Sequence, residues 1–330
     1  MLRRRSLAPG AAAGSFCRMP YSRPLALSTG RILAIGLATL LASPARAQIP
    51  TVDTSKVTVT VVPIAAGVYM LQGLGGNIGL SVGKDDAFII DDQYAPLSAK
   101  IKAAVATVTP KPVRFVVNTH WHFDHTGGNE AMAGSGAIIF AHENTRRRMS
   151  TEQFVQALNI RVPASPSAAL PVITFSDTIT FYTNDDTVRT FHVANAHTDG
   201  DAIIVFRKAN VIHMGDTFFN GRYPLIDVSS GGSLPGMIAA ANTGLAMSNA
   251  ETRFIPGHGP LATRADLVRY RDMLVAVRDR LGGLIAQGRT LKEILDAKPL
   301  ADYDAIWGNG NIKGDQFITI IYGSLTTPRR

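Results

Sequence analysis

The chain has 330 residues, enough for one large α/β domain or two small ones. Apolar residues make up 46% of it, which is ample for a packed core and excludes an intrinsically disordered chain. The formal charge of +8 would suggest nucleic-acid binding, but residues 1–47 carry seven arginines and no acid. Without these seven arginines the charge falls to +1, so no nucleic-acid partner is expected.

The amino-terminal segment, residues 1–47, has the organisation of a secretory signal peptide. Arg23 and Arg31 precede a short apolar run at 32–42, and Ala45-Arg46-Ala47 supplies a small-x-small cleavage site. We therefore expect export to the periplasm, with a mature chain that begins at Gln48. The apolar run is too short to span a bilayer comfortably, so no stable membrane anchor is expected.

The same leader leaves two alternatives open and restricts the chemistry of any metal site. Translation could begin at Met1 or Met19, and Arg4-Arg5-Ser6-Leu7 faintly resembles a twin-arginine export signal. The only cysteine, Cys17, also lies here. A mature chain without thiols has no disulfide and no cysteine ligand, so a metal site must be built from histidine, carboxylate and water.

Beyond the leader, β-branched runs separated by glycine turns alternate with helical patterns. Strands are predicted at 57–62, 68–72, 78–82, 87–91, 113–118, 137–141, 172–175, 179–182, 188–193, 202–206, 211–214 and 254–255. Helices are predicted at 98–108, 143–156, 234–246, 264–287 and 291–296, with a proline-rich loop at 161–171 and a last helix within the tail 309–330. A β-rich meander followed by β–α units, present twice, predicts an α+β fold with two sheets packed face to face and helices outside. No linker divides residues 48–330, so a single domain is expected.

Three histidines and an aspartate lie within the six residues 120–125, directly after the predicted strand 113–118. On an extended segment His120 and His122 point the same way, so both imidazoles can bind one ion. A turn after His122 would aim Asp124 and His125 at a neighbouring position. One zinc ion needs three or four ligands, so the run implies partners elsewhere in the chain.

Three later residues occur in a matching context, next to strands and glycines. They are His197 in Ala196-His197-Thr198-Asp199-Gly200-Asp201, Asp216 in Met214-Gly215-Asp216-Thr217, and His258 in Gly257-His258-Gly259. Separate loops at strand ends can converge on one edge of a sheet sandwich. We therefore expect these three side chains to complete the site.

This ordered set of motifs resembles the metallo-β-lactamase superfamily over roughly residues 57–274. The resemblance implies a four-layer αββα sandwich and a dinuclear zinc site at one edge of the sheets. It assigns His120, His122 and His197 to the first metal, Asp124, His125 and His258 to the second, and Asp216 to both. A hydroxide held between two zinc ions would attack an amide or ester carbonyl of a small-molecule substrate, and Asp124 would orient it or shuttle a proton.

Other polar and aromatic residues receive weaker interpretations. Asp91 and Asp201 are expected to fix histidine tautomers. Structural roles are expected for His142, His192, His213, Trp121, Phe123 and Asp199. The predicted loop after Asp216 either is an ordinary surface loop or forms a substrate wall from Phe218, Phe219, Asn220, Arg222 and Tyr223, with Asn220 as an oxyanion donor. The stretch 229–233 is either a flap or a helix entry, with Ser233 as the N-cap.

The substrate class is the least determined part of the interpretation. The missing cysteine ligand, and Phe219 where many zinc lactamases have a lysine, favour glyoxalase-II-like thioesterases or lactonases. Export favours a β-lactamase-like hydrolase of cyclic amides, which we place first. Outside hydrolysis, the alternatives are a mononuclear iron persulfide dioxygenase and a non-catalytic periplasmic binding protein. A redox di-iron protein is disfavoured, because that branch usually has a glutamate where this chain has His122.

Overall fold

The computed structural model describes residues 53–326. The predicted signal peptide and the cleavage site before Gln48 lie outside the described residues. Strands occupy β1 Thr60–Ala65, β2 Val68–Gln72, β3 Ile78–Ser81, β4 Ala87–Ile90, β5 Val113–Asn118, β6 Ile138–His142, β7 Gln153–Val155, β8 Ile160–Val162, β9 Ile173–Phe175, β10 Thr178–Thr183, β11 Asp186–His192, β12 Ala202–Phe206, β13 Val211–Phe219, β14 Arg253–His258 and β15 Ala262–Thr263. Helices occupy α1 Ser98–Ala106, α2 Phe123–Thr126, α3 Asn129–Ala133, α4 Glu143–Met149, α5 Leu234–Ala246, α6 Arg264–Ala286, α7 Leu291–Asp296, α8 Ala301–Trp307 and α9 Gly314–Thr326.

The strands form two mixed sheets and a separate hairpin. The first sheet has the order β1-β2-β3-β4-β5-β6-β9, and the second has the order β10-β11-β12-β13-β14-β15. Parallel pairing runs from β4 to β9 in the first sheet and joins β13 to β14 in the second. Strands β7 and β8 pair only with each other.

The central strands of both sheets are buried on both faces. One face of each sheet packs against the other sheet, and the opposite face packs against helices. In β4, Phe88 and Ile90 pack between the sheets, while Ile89 faces the core under α1. Strand β12 behaves in the same way, with Phe206 between the sheets and Ile203 against the core under α5, α6 and α9. Since successive strand side chains point to opposite faces, this alternation produces the predicted αββα layering of an α+β fold.

The predicted helix at 143–156 and loop at 161–171 are wrong in part. Helix α4 ends at Met149, and the chain then forms the β7–β8 hairpin. Val155 and Val162 in this hairpin are buried against Met149 and Trp121. The apolar contact that favours a hairpin is therefore long-range, and a local helical pattern does not reveal it.

Two other elements, strand β13 and helix α8, differ from the sequence-based expectation. Strand β13 continues to Phe219 because its last residues pair in parallel with β14, up to His258. Helix α8 was not predicted. The final helix α9 is present, and Ser233 caps α5 as expected by accepting a hydrogen bond from the Gly236 amide. None of the helices within residues 53–326 has both the length and the hydropathy that crossing a bilayer requires.

Candidate metal centre

The run 120–125 adopts the extended-then-turned conformation that its sequence predicts. It follows the buried end of β5, and His122 has an extended backbone with φ −62° and ψ 144°. The short helix α2 begins at the next residue and turns Asp124 and His125 away from the first pair. Backbone hydrogen bonds from Ala202 to Thr119 and from Asn77 to Gly257 join the ends of the two sheets around this run.

The first group of converging side chains contains His120, His122, His197 and Asp216, all buried. His122 Nδ1 lies 3.2 Å from His120 Nε2 and 2.9 Å from His197 Nε2. Asp216 Oδ2 lies 3.6 Å from His197 Nε2 and 3.9 Å from His120 Nε2. Three ring nitrogens and a carboxylate oxygen thus surround one point, which is the donor set of a tetrahedral metal site.

The second group contains Asp124, His125 and His258. His258 Nε2 lies 3.4 Å from His125 Nε2 and 3.3 Å from Asp124 Oδ2. Asp216 reaches this group as well, since its Oδ1 is 3.1 Å from His125 Nε2 and its Oδ2 is 3.4 Å from His258 Nε2. The Asp216 carboxylate therefore lies between the two groups. All seven ligand residues expected from the sequence are brought together.

Hydrogen bonds behind the imidazoles fix which nitrogen faces the centre. His125 Nδ1 donates to Asp91 Oδ2 at 2.7 Å, and His197 Nδ1 donates to the Leu225 carbonyl at 2.8 Å. His122 Nε2 donates to Asp227 Oδ2 at 3.0 Å, which leaves Nδ1 for the centre. Such outer partners set the tautomer and raise the basicity of a ligand histidine.

Asp91 therefore has the predicted role, but Asp201 does not. The Asp201 carboxylate accepts hydrogen bonds from the backbone amides of His197 and Thr198 and from the Thr198 hydroxyl. Asp201 therefore fixes the loop that carries His197, whereas the partner of the His197 ring is the Leu225 carbonyl. Burial raises the pKa of Asp201 to about 7, against the lowering effect of these hydrogen bonds.

Electrostatics divide the histidines into two classes. Burial lowers the pKa of His197 to about 4 and that of His120 well below its ordinary value, so both rings are neutral and free to bind a metal. Burial also disfavours charge on His258, but Asp216 and Asp124 outweigh it and raise its pKa to about 9. Asp124 is only partly exposed, which favours a higher pKa, yet His125 and His258 lower its pKa to about 2, so it is ionised at neutral pH.

Local packing gives a further test of whether the centre fits metal ions. Asp216 Oδ1 is buried and lies 3.1 Å from His125 Nε2, but it makes no well-formed hydrogen bond with residues 53–326. A Cβ atom at Gly257 would lie 2.0 Å from this oxygen, and one at Gly76 would lie 2.1 Å from the His125 ring. An unsatisfied carboxylate oxygen is costly unless a cation neutralises it. The donor set, its tautomers and this oxygen all fit bound metal ions.

Comparison with known proteins agrees with this geometry. The family model described as the metallo-beta-lactamase superfamily matches residues 71–272, more than half of the chain. The chain belongs to the metallo-β-lactamase superfamily. Two solved structures share the fold: a metallo-β-lactamase from Pontibacter korlensis, with a TM-score of 0.54 and 18% identity over 66% of this chain and 99% of that one, and the DIM-1 metallo-β-lactamase, with a TM-score of 0.53 and 16% identity over 67% and 100%.

A cleft of about 160 Å³ opens beside the metal centre of this superfamily member. Phe219 lines the cleft as the substrate-wall prediction requires, but it does so from within β13 and stacks on His258 with ring centroids 5.2 Å apart. Tyr223 also contributes to the wall, although its hydroxyl donates to Asp304 Oδ1 at 3.1 Å and is not available to a substrate.

The prediction of Asn220 as an oxyanion donor is not supported by its position. Its Nδ2 donates to the Pro260 carbonyl at 3.0 Å, and Asn220 does not line the cleft. The backbone amide of Asn220 bonds the His258 carbonyl at 2.9 Å, so the residue holds the end of β14 in place. A turn residue whose backbone amide and side-chain amide both bond protein carbonyls in this way has a structural role.

Most of the residues that we expected to have structural roles do have them. His142 and His192 stack with ring centroids 3.8 Å apart, outside both ligand groups. His213 is buried, with Nε2 3.1 Å from the Asn77 carbonyl, and Asp199 forms an ion pair with Arg148. Trp121 packs in the hairpin core and donates to Ser230 Oγ. The same prediction for Phe123 is incomplete, because its ring also lines the cleft.

Sequence reasoning did not identify two residues of this site, Asp227 and Tyr94. Asp227 is fully buried, and its ion pair with His122 spans 105 positions along the chain. Burial and the carboxylates of Asp124 and Asp216 raise the pKa of the Tyr94 phenol, so it enters the cleft as a neutral hydrogen-bond donor. Its position shortly after β4, at a strand end, is the only sequence signal that could have found it.

Asp227→Asn is expected to weaken metal binding at the first group by about 10- to 100-fold, because the amide removes the charge that orients and polarises His122. Competition with a chromogenic chelator measures the change. Asp199→Asn is the matched control, since Asp199 pairs with Arg148 and lies in neither ligand group. Equal affinity in Asp227→Asn and the unmodified protein would contradict the assigned role.

Proposed function

We propose that this protein is an exported, zinc-dependent hydrolase that opens amide or ester bonds of small molecules, with cyclic amides of the β-lactam kind as the first expectation. The observation that carries the proposal is the position of Asp216, whose carboxylate lies between two histidine-rich groups at the floor of the cleft. A carboxylate shared by two adjoining ligand groups is suited to holding two ions side by side.

Two zinc ions per chain would be held by the side chains already described. His120, His122 and His197 form the first set, while Asp124, His125 and His258 form the second, with Asp216 common to both. When bound, zinc supplies a water acidified to near neutrality and a Lewis acid for the substrate oxygen. Histidine and carboxylate without thiolate suit zinc, and the presence of both sets argues against a mononuclear iron oxygenase.

The chain's own groups then orient the substrate and move protons. Asp124 lies at the cleft floor, is ionised and remains partly exposed, so it can accept a proton there and pass it on to a leaving nitrogen or oxygen. The Tyr94 phenol faces the same space as a neutral donor. Apolar side chains around them exclude water and strengthen these polar interactions.

Cyclic esters and thioesters are the second candidate class. The all-histidine-and-aspartate ligand set, together with Phe219 on the wall, is the observation that favours them. The two similar solved structures are named as metallo-β-lactamases, which supports the cyclic amides. Both classes present a strained or activated carbonyl to the same floor.

A hydrolysis panel on purified protein tests the proposal. Nitrocefin, a carbapenem, a homoserine lactone and a thioester are each assayed before and after chelation, together with metal analysis. We expect about two zinc ions per chain, and at least one substrate class whose turnover is lost on chelation and restored by zinc. His122→Ala should remove activity, whereas His142→Asn, outside the centre, should retain it. Turnover that survives both chelation and His122→Ala would refute the proposal.

Export to the periplasm is proposed from residues 1–47, with their apolar run and Ala45-Arg46-Ala47 cleavage motif. Amino-terminal sequencing of the protein recovered from a periplasmic extract should begin at Gln48. Recovery of an uncleaved chain from the cytoplasm alone would contradict this part of the proposal.

A further inference from the structure

Four strands form the outer edges of the two main sheets, and three of them have features that limit pairing with a further strand. Strand β1 contains Pro63 and a break in register before Ala65, and β9 and β15 are three and two residues long. Strand β10 has six residues in unbroken register, with no proline and no charged side chain. Natural sheets protect their long edges by such devices, so β10 is an edge available for pairing.

Hydrogen bonding within the second sheet shows which backbone groups of β10 face outward. Next to the start of β10, the Asp177 carbonyl accepts a hydrogen bond from the His192 amide at 2.8 Å, so odd-numbered residues face β11. The carbonyl of Thr187, the residue opposite Tyr182, accepts from the Arg207 amide at 3.2 Å on the far side of β11. The even-numbered residues therefore turn their amides and carbonyls away from the sheet, and no residue from 53 to 326 bonds these groups of Thr178, Thr180 and Tyr182.

The side chains of β10 are divided between the core and the solvent. Ile179 and Phe181 pack between the two sheets, whereas Tyr182 is 83% exposed. Strand β9, the edge of the first sheet, is joined to β10 by two residues, and Val172 and Ile173 at its start are 72% and 40% exposed. Exposed apolar side chains therefore accompany the open hydrogen-bonding groups on one flank of the sandwich. A surface of this kind marks a protein interaction site.

A second copy of this chain fits the β10 edge in one antiparallel register. When Thr180 lies opposite Thr180 of the second copy, Thr178 lies opposite Tyr182, and the outward groups of these residues bond one another. This register gives about six backbone hydrogen bonds between the copies. Asp177 then lies opposite Thr183, so no like charges face each other along the strand. Because the copies are related by a two-fold axis, one surface is complementary to itself.

We propose that the protein forms a two-fold dimer in which β10 of each copy pairs antiparallel with β10 of the other, with the axis beside Thr180. The second sheets of the two copies then become one continuous sheet, and Tyr182 is covered by the second copy. None of the residues 178–183 belongs to a ligand group or lines the cleft, so each copy keeps its metal centre open. The dimer is independent of the proposed hydrolysis.

Sedimentation velocity of the purified protein, from about 1 to 100 μM, tests the inference. We expect a dimer that dissociates on dilution. Thr180→Pro removes the outward amide at the axis without breaking a hydrogen bond to β11, and it should weaken dimerisation about a hundredfold. Thr180→Lys places two ammonium groups opposite each other and should weaken dimerisation about tenfold. Circular dichroism and metal content check that both variants fold.

Thr178→Lys is the matched control, because it puts the same charge on the same exposed face but opposite Tyr182 of the second copy. It should change the dissociation constant of the dimer by less than about threefold. Mixing Thr180→Lys with Thr180→Glu should restore about wild-type affinity as a heterodimer. Arg189, next to position 180 on β11, is present in both variants, so recovery in the mixture reports the pairing of position 180 with itself.

A protein that remains monomeric over the whole concentration range would overturn the inference, whatever covers β10 in the monomer. A dimer that is equally stable in Thr180→Pro and in the wild type would do the same, since another surface would then hold it together. Equal losses in Thr178→Lys and Thr180→Lys, without recovery in the mixture, would refute the two-fold register.

Discussion

Asp216→Ala is expected to empty both ligand groups and to lower kcat/KM by a factor on the order of 10³ to 10⁴. The reason is geometric, because among residues 53–326 the Asp216 carboxylate is the one side chain within hydrogen-bond or ion-pair distance of histidines from both groups. Loss of His197 would affect the first group and loss of His258 the second. Metal content by mass spectrometry and steady-state rates measure the two effects together.

Asp216→Asn is the graded companion to this variant. The amide keeps one oxygen at nearly the same position but loses the negative charge, so we expect partial metal retention and an intermediate rate. A matched change at the surface, Asp302→Asn, breaks only the ion pair with Arg280 and should leave metal content unchanged. If Asp216→Ala kept its full metal content and rate, the assignment of a shared carboxylate would be wrong.

Much of the fold follows from local patterns, and the exceptions have long-range causes. Strand β4 is buried on both faces, so its continuous apolar run identifies it without knowledge of its neighbours. The β7–β8 hairpin is different, because Val155 and Val162 are stabilised by contact with Trp121, which lies more than 30 positions away in sequence. Strand β13 likewise extends to Phe219 through its pairing with β14, which no local pattern near residue 219 specifies.

The metal ligands were predictable for a related reason. Strand ends and nearby glycines mark His197, Asp216 and His258, and the spacing within 120–125 marks the other four ligands. Asp227 carries no such mark, since its role is defined only by the approach of His122 from another part of the chain. The extended β13 also moves Phe219 from a predicted loop into a strand, and Asn220 and Tyr223 turn their polar atoms to protein partners. Substrate contacts depend on the tertiary position of each side chain, so they are the part of the site that the sequence predicts least well.

The affinity for metal is expected to fall steeply as the pH is lowered from 9 to 6. In the metal-free protein Asp216 and Asp124 hold a proton on His258, whose pKa is raised to about 9. A metal ion must displace that proton, so below pH 9 the apparent affinity decreases by about tenfold for each pH unit. This amounts to about a thousandfold between pH 9 and pH 6 from His258 alone, and the raised pKa of His125 adds to the slope.

The stability of the metal-free form should consequently fall between pH 6.5 and 9, whereas His258 contributes no such fall to the stability of the metal-loaded form. A pKa raised in the folded state means that the charged His258 stabilises the metal-free protein fully below its ordinary value of 6.5, and that this contribution is lost as the pH rises through about 9. Metal binding gains over the same interval, so the rise in Tm on adding zinc should grow with pH. Thermal unfolding at pH 6, 7.5 and 9, with and without zinc, measures this.

His258→Gln removes one of the displaced protons and should reduce the pH slope of affinity by about one unit. A metal affinity that is flat between pH 6 and pH 9 would show that the Asp216 and Asp124 carboxylates do not hold a proton on His258.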